Sequence, residues 1–384
     1  MKTSDISFLF RRFMEPDEGT NHENRFNFVY ELQRARHLHF TDDKDRIFAF
    51  LGHFSVLSLH HLGCGPIAIV LNYSKTVEQT YIDVAMQILK ANPATLCILL
   101  AAVQHDRHSL PPHDGSRVHA QRSGEVWVLS EYGLPSWVPD WRRSTGILLA
   151  EPICPHRAHG DSAVKLEIAE NAMLRVHGMK IDNIEDCSRP LLPTDIYNTT
   201  PDQSSKMIER LWHEICRHNS FNLKDRYLNG QEAFFAFQTL SNGCVQAAGH
   251  GGKSYHEVPD RVWMSSAARY IVEASDNLSE DVENVAKDAE GEGNHEAWSR
   301  WATAASKGRI FARTSKGYYV LGPAALEVGD VVCVLPGCKV PFCLRSIGRH
   351  YLLVGECYVH GLMKGEAMSM LARNELRETV FDII

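Results

Sequence analysis

Between Arg309 and Met363 the chain reads RIFARTSKGYYVLGPAALEVGDVVCVLPGCKVPFCLRSIGRHYLLVGECYVHGLM, a run of short β-type segments cut by turn residues. Ser315-Lys316-Gly317 separates Ile310–Thr314 from Tyr318–Leu321. Pro336-Gly337 supplies a fixed φ near −65° and then a positive φ, the demand of a type II turn, between Val331–Leu335 and Val340–Leu344. Gly348 marks another turn before Tyr351–Val359. Val340, Phe342 and Leu344 fall on one face of their strand, and Cys343 and Arg345 on the other. Such strands with tight turns imply a small antiparallel meander curled into a barrel, which leaves few open edges.

Upstream, the chain reads as α+β. The Phe26, Val29, Leu32 stripe predicts a helix from Glu23, and Asp42 or Asp43 caps a second one ending at Gly52. Residues 76–90 carry the clearest amphipathic pattern, with Thr76 and Gln79 at capping-box spacing. Leu96–Val103 is apolar throughout and therefore buried, although periodicity does not separate strand from helix there. Residues 105–125, with Pro111-Pro112 and several histidines, read as a mobile insertion. Two strands, 163–169 and 172–184, turn at Glu170-Asn171, and helices follow over 203–217, 231–240, 261–274 and 296–305. This divides the chain into 1–145, a strand pair with helices over 146–305, and a β-rich module over 306–384. Trp298 and Trp301 share one short helix and are expected to cover the strands of 309–359.

Composition excludes some classes. The net charge is −7 and no basic run stands out, which makes nucleic acid a poor partner. Much of the acidity is local, with seven carboxylates against Lys287 between Asp276 and Gly293, the pattern of a solvated loop. No apolar run reaches the ~18 residues of a membrane span, and the first residues lack a signal-peptide core. The ten cysteines follow no ligand or disulfide spacing, consistent with reduced thiols and a cytoplasmic location.

Several constellations carry chemistry or packing. Trp137 and Trp141 bracket Pro139-Asp140, as in the floor of a flat-ligand pocket, but two prolines in five residues suit a rigid strap anchored by its indoles. Asp45 and Arg46 could present a carboxylate and a guanidinium, while acids at a helix start and an Asp–Arg pair also simply lock loops. Cys154, His156 and His159 give three donors within six residues where a structural zinc site needs four, so no metal or other cofactor is assigned. Glu356, Tyr358 and His360 share a strand face, whereas Cys357 and His360 point apart, which disfavours a Cys–His nucleophile. The run Gly249–Ser254 imitates a phosphate loop but has Ala247 where the first glycine belongs.

The words of the chain resemble fungal heterokaryon-incompatibility (HET) proteins. GYYVLGPAALEVGDVVCVLPGCKVPFCLR followed by YLLVGECYVHGLMKGEAM is similar to their C-terminal region. Asp45–Gly52 (DRIFAFLG), Asn72–Glu78 with Tyr73 (NYSKTVE), and Leu134–Trp141 (LPSWVPDW) are similar to motifs late in the HET domain. The family's opening strand and its I-C-I-N-Q stretch have no counterpart, so the resemblance places Met1 inside that domain. It implies a cytoplasmic protein that binds a protein partner, or itself, in self/non-self recognition or cell death, with no catalysis of its own. The expected contacts are Asp45, Arg46, Tyr73, Trp137, Asp140, Trp141, Glu356, Tyr358 and His360. The alternative is a divergent HET-like enzyme with a small-molecule pocket between the N-terminal part and the sheet module, walled by His53, His60, His61 and the tryptophan strap. In either case the strap and the 163–184 strands are expected to lie against the helices of 24–51 and 76–90.

Overall fold

The computed structural model describes residues 7, 11–15, 23–57, 69–113, 120–123, 126–129, 133–143, 146–169, 171–196, 211–215, 235–243, 245–249, 252–256, 260–274 and 294–384. The 276–293 loop and most of the 203–217 helix lie outside them.

The N-terminal part is helical. A 3-10 turn at Glu23–Phe26 leads into α1 (Phe28–Arg34), capped by Asn27, whose side chain accepts the Tyr30 N–H. Short helices α2 (Asp45–Phe48) and α3 (Phe54–Leu57) follow. Next comes α4 (Val77–Ala91), whose Thr76–Gln79 capping box is formed in both directions. Its buried stripe, Tyr81, Val84, Ala85, Ile88 and Leu89, matches the periodicity in the sequence. Residues Leu96–Ala101 form a helix, α5, every residue of which is buried. Central helices are α6 (Phe235–Leu240), α7 (Asp260–Ala274) and α8 (His295–Ser306), and α9 (Glu366–Ala372) follows the main strands.

Strand β1 (Ala120–Ser123), inside the 105–125 segment expected to be mobile, pairs as a hairpin with β2 (Val126–Leu129), which follows it. The C-terminal sheet begins far earlier than expected, with β3 (Leu166–Ile168) and the 17-residue β4 (Leu174–Pro190). A second hairpin, β5 (Val245–Gly249) with β6 (Gly252–His256), occupies the run that imitated a phosphate loop, so no helix follows that turn directly. The remaining strands are β7 (Ile310–Thr314), β8 (Tyr319–Gly322), β9 (Val331–Val334), β10 (Phe342–Ile347), β11 (His350–Glu356), β12 (Tyr358–Val359) and β13 (Glu378–Ile383).

These strands form a nine-stranded sheet in the order β12-β8-β7-β4-β13-β11-β10-β9, with β3 on β4, and β9 returns to pair with β4. The return closes a five-membered ring, β4-β13-β11-β10-β9. All its pairings are antiparallel except β11 with β13, which touch in parallel at Tyr351 and Ile383. The sequence meander therefore omitted two ring members. One stands before the central helices and the other after α9, so neither is joined to the meander by a turn.

Strand β9 is buried on both faces. Along β9, Val331 and Cys333 point to the core shared with the N-terminal helices, while Val332 and Val334 point to the core shared with α7 and α8. Double burial explains a sequence run that is apolar rather than alternating. Gly337 takes a φ of 79°, as its turn requires, and a Cβ there would strike Val164. Trp298 is wholly buried, with its ring 4.6 Å from that of Tyr270 on α7, whereas Trp301 is only half-buried. The main support of α8 is thus a helix, not the strands.

Candidate functional site

The Leu134–Trp141 segment is a strap, and the structure shows what it holds. Trp137 and Trp141 are fully buried. The Trp137 indole N–H donates to the Ala172 carbonyl at 2.9 Å, and Trp141 meets Tyr81 of α4 edge-on at 5.0 Å. Ser136 completes the join: its Oγ accepts the Leu353 N–H at 2.9 Å and donates to the Ile384 carbonyl. Asp140 takes Arg142 on both oxygens, and Arg142 reaches on to Glu78 at 2.7 Å. The strap thus ties α4 to the 172 turn and to the barrel, and its indoles are closed off from solvent.

Asp45, Arg46 and Tyr73 are also taken up by structural contacts. The Tyr73 hydroxyl donates to Asp45 at 2.6 Å, and Arg46 binds Asp43 together with the carbonyls of Arg36 and Leu38. Lys44 reaches the carbonyls of Tyr73 and Lys75. The four residues lock the loop before α4 onto the start of α2.

Glu356 has left the company expected of it. Its Oε1 accepts the Leu149 N–H and an Arg309 N–H, each at 2.7 Å, and its Oε2 accepts the Ala150 N–H at 2.9 Å. Arg309 spends further N–H groups on the carbonyls of Ile147 and Glu356. Tyr358 and His360 meet each other at 3.5 Å instead, and Tyr358 lies 5.7 Å from the His156 ring. Desolvation lowers the pKa of His156 and of His360 to about 4, with nearby lysines adding to it, so both rings are neutral at pH 7.

The seven described cysteines are free thiols. Burial raises Cys333 and Cys338 well above the ordinary thiol range, and Cys343 rises through its hydrogen bond with Cys357 and then burial. That partnership leaves Cys357 with a thiol rather than with His360. Cys154, His156 and His159 do not converge, and among the described residues no three His, Cys, Asp or Glu side chains form a metal-binding group.

A cleft of ≈ 380 Å³ opens where the N-terminal helices, the 146–147 segment, the end of α8 and the barrel meet. Its polar lining is Gln104, His105, Asp106, Lys307, Arg309 and Glu356. His105 holds the Ser136 carbonyl at 2.9 Å, and desolvation lowers its pKa to about 4 although an edge of the residue reaches solvent. Asp106 pairs with Arg143. The enzyme alternative expected a cavity at this junction, but with other walls. His53 is buried beside Phe50 and Phe54, with Nε2 at the Arg12 carbonyl, and His60 and His61 lie outside the described residues. Of the expected contacts only Glu356 reaches the cleft. The sequence signal that could have pointed to it is Lys307-Gly308-Arg309, a cationic pair set directly after a helix end.

Residues 267–381 match the model of a family described as the Het-6 beta-barrel domain. Among curated proteins, "Heterokaryon incompatibility protein 6, OR allele" of Neurospora crassa is 36% identical over 66 residues, which is 16% of this chain and 10% of that protein. The chain thus covers a tenth of the length of the relative that it matches. No solved structure matches it. The barrel, its family model and this relative agree for the C-terminal part: that part of the chain is similar to the barrel domain of fungal heterokaryon-incompatibility proteins.

Proposed function

We propose that this chain acts in heterokaryon incompatibility as a cytoplasmic binding protein, recognising a protein partner in a self/non-self response that leads to cell death, with no reaction of its own. The observation that carries the reading is the way the candidate polar groups are spent. Asp45 holds the Tyr73 hydroxyl, and Asp140, Arg309 and Glu356 each hold backbone or another charge in place, so none stands ready as a base or nucleophile. Such spending builds a rigid surface, and rigidity lowers the cost of binding.

The test is genetic. Expression of the full chain in a fungal strain, followed by fusion with strains differing at incompatibility loci, should reduce heterokaryon viability with some of them and not others. Equal viability with every strain would sink the reading. The second reading, an enzyme, keeps one supporting observation: the ≈ 380 Å³ cleft lies between the N-terminal helices and the barrel.

A further inference from the structure

We propose that this cleft binds a small molecule with an apolar body and one anionic head, a carboxylate or a phosphate, seated at Lys307. The inference goes beyond the incompatibility reading and does not require it.

An inventory of charge around the cleft leads to the head group. The Arg309 guanidinium is neutralised by Glu356 at 2.7 Å, and Asp106 by Arg143. His105 is neutral and committed to Ser136. The Gln104 Oε1 accepts the Gly146 N–H at 2.7 Å, which leaves its Nε2 hydrogens to donate. Lys307 remains. It is exposed, lines the cleft, and has no ion-pair partner among the described residues. Uncompensated charge at the cleft is therefore positive, and its spare side-chain donors suit an acceptor.

One term opposes this. Lys307 follows the C-terminus of α8, whose carbonyl end repels an anion. That end is already partly answered, because the Lys307 N–H donates to Thr303 O and the Arg309 N–H to Ser306 O. A cation, by contrast, would find both carboxylates of the cleft already paired. The body of the ligand follows from the rest of the wall, Val103, Ile147, Ala304, Ala305, Pro323 and Ala324, which is apolar. A cleft of ≈ 380 Å³ is at the small end of ligand sites.

The test is calorimetric titration of the full chain at low salt with octanoate, octyl phosphate, octan-1-ol and octylamine. We expect one anion or both to bind about fivefold or more tighter than the alcohol, and the amine more weakly than the alcohol. The tighter of the two anions identifies the head group. Lys307→Gln, at an exposed position, should bring anion and alcohol within about twofold of each other while the circular dichroism spectrum and Tm stay unchanged. Ala304→Trp, also at an exposed position, should fill the cleft and remove binding of every probe. The proposal is overturned if no probe binds, if the amine binds as tightly as the anions, if the anion preference survives Lys307→Gln, or if binding survives Ala304→Trp.

Discussion

Arg345 and Asp330 form a two-pronged ion pair, 2.9 and 3.0 Å long, in which neither side chain reaches solvent. Arg345 also donates to the carbonyls of Pro111 and Ala325, and Asp330 accepts the Glu327 N–H and meets His113 at 2.8 Å. One pair therefore joins β10, the 325–330 turn and the arm of 109–113. The pairing also corrects the expectation of a mobile 105–125: its first part, with Leu110 buried, is docked on the barrel.

Asp330→Asn should cost up to about 3–5 kcal/mol, because it leaves the buried guanidinium with only the partly exposed Glu327, 3.2 Å away, as counter-charge. Replacing both partners with apolar residues should cost much less, since no charge is then stranded. Urea midpoints of the two variants and the parent decide this. A single variant within about 1 kcal/mol of the parent would show that the pair is not the clamp.

Glu356→Gln tests the second clamp. A glutamine keeps one acceptor oxygen but turns an amide towards one of the two N–H groups at Leu149 and Ala150. The mismatch and the unpaired Arg309 should together cost about 2–4 kcal/mol. Limited proteolysis should then cut first near 146–150. Unchanged cleavage there would mean that the segment is held by other contacts.

The contrast between these clamps and the strap shows what could be read from the chain alone. The strap, the capping box of α4 and the turns at Gly317, Gly337 and Gly348 were legible because each is written in neighbouring residues. The closure of the ring was not, because β4 and β13 join the meander only through space. The role of Glu356 was hidden for the same reason: alternation along a strand groups it with Tyr358 and His360 and says nothing of residues 147–150 arriving from elsewhere. The burial of Arg345 was not legible either, because its partners are scattered from Pro111 to Asp330.

Trp298→Ala should destabilise by about 3–5 kcal/mol, the range for removing a large buried aromatic side chain. Trp301→Ala should cost less, because that indole is only half-buried. Equal losses in thermal or urea unfolding would contradict the packing of α8 on α7 through Trp298 and Tyr270.

Stability should fall on acidification below the ordinary histidine pKa. His105, His156 and His360 have folded values of about 4, against 6.5 when unfolded. A depressed histidine pKa favours the fold fully above 6.5, and the advantage shrinks as pH falls from 6.5 towards 4. Each wholly buried ring would contribute up to roughly 1.4 kcal/mol per pH unit in that window, and His105, partly open, less. Urea unfolding at pH 7 and pH 5 measures the loss. His156→Asn with His360→Asn should flatten the slope, and an unchanged slope would assign the acid sensitivity to other groups.

The last prediction concerns NAD. Nucleotides are commonly held where the strand ends of an open, parallel sheet meet helix N-termini, on glycine-rich turns that let phosphates approach the backbone. The main sheet is instead mainly antiparallel, and five of its strands close into a ring with one parallel contact, Tyr351 with Ile383. The run that imitated a phosphate loop falls across the β5–β6 hairpin, where Gly249 pairs with Gly252. Among the described residues the cleft at Lys307 offers one unpaired cation, whereas a pyrophosphate carries two negative charges and asks for several donors. A cleft of ≈ 380 Å³ is also small for a dinucleotide, which has two bases and two riboses to accommodate. Purified full chain should therefore neither bind NAD in calorimetry nor release nicotinamide from it, alone or after forced oligomerisation. Turnover that disappears when one buried carboxylate, Glu356 or Asp330, is replaced in a variant that still folds would show that the chain is an enzyme.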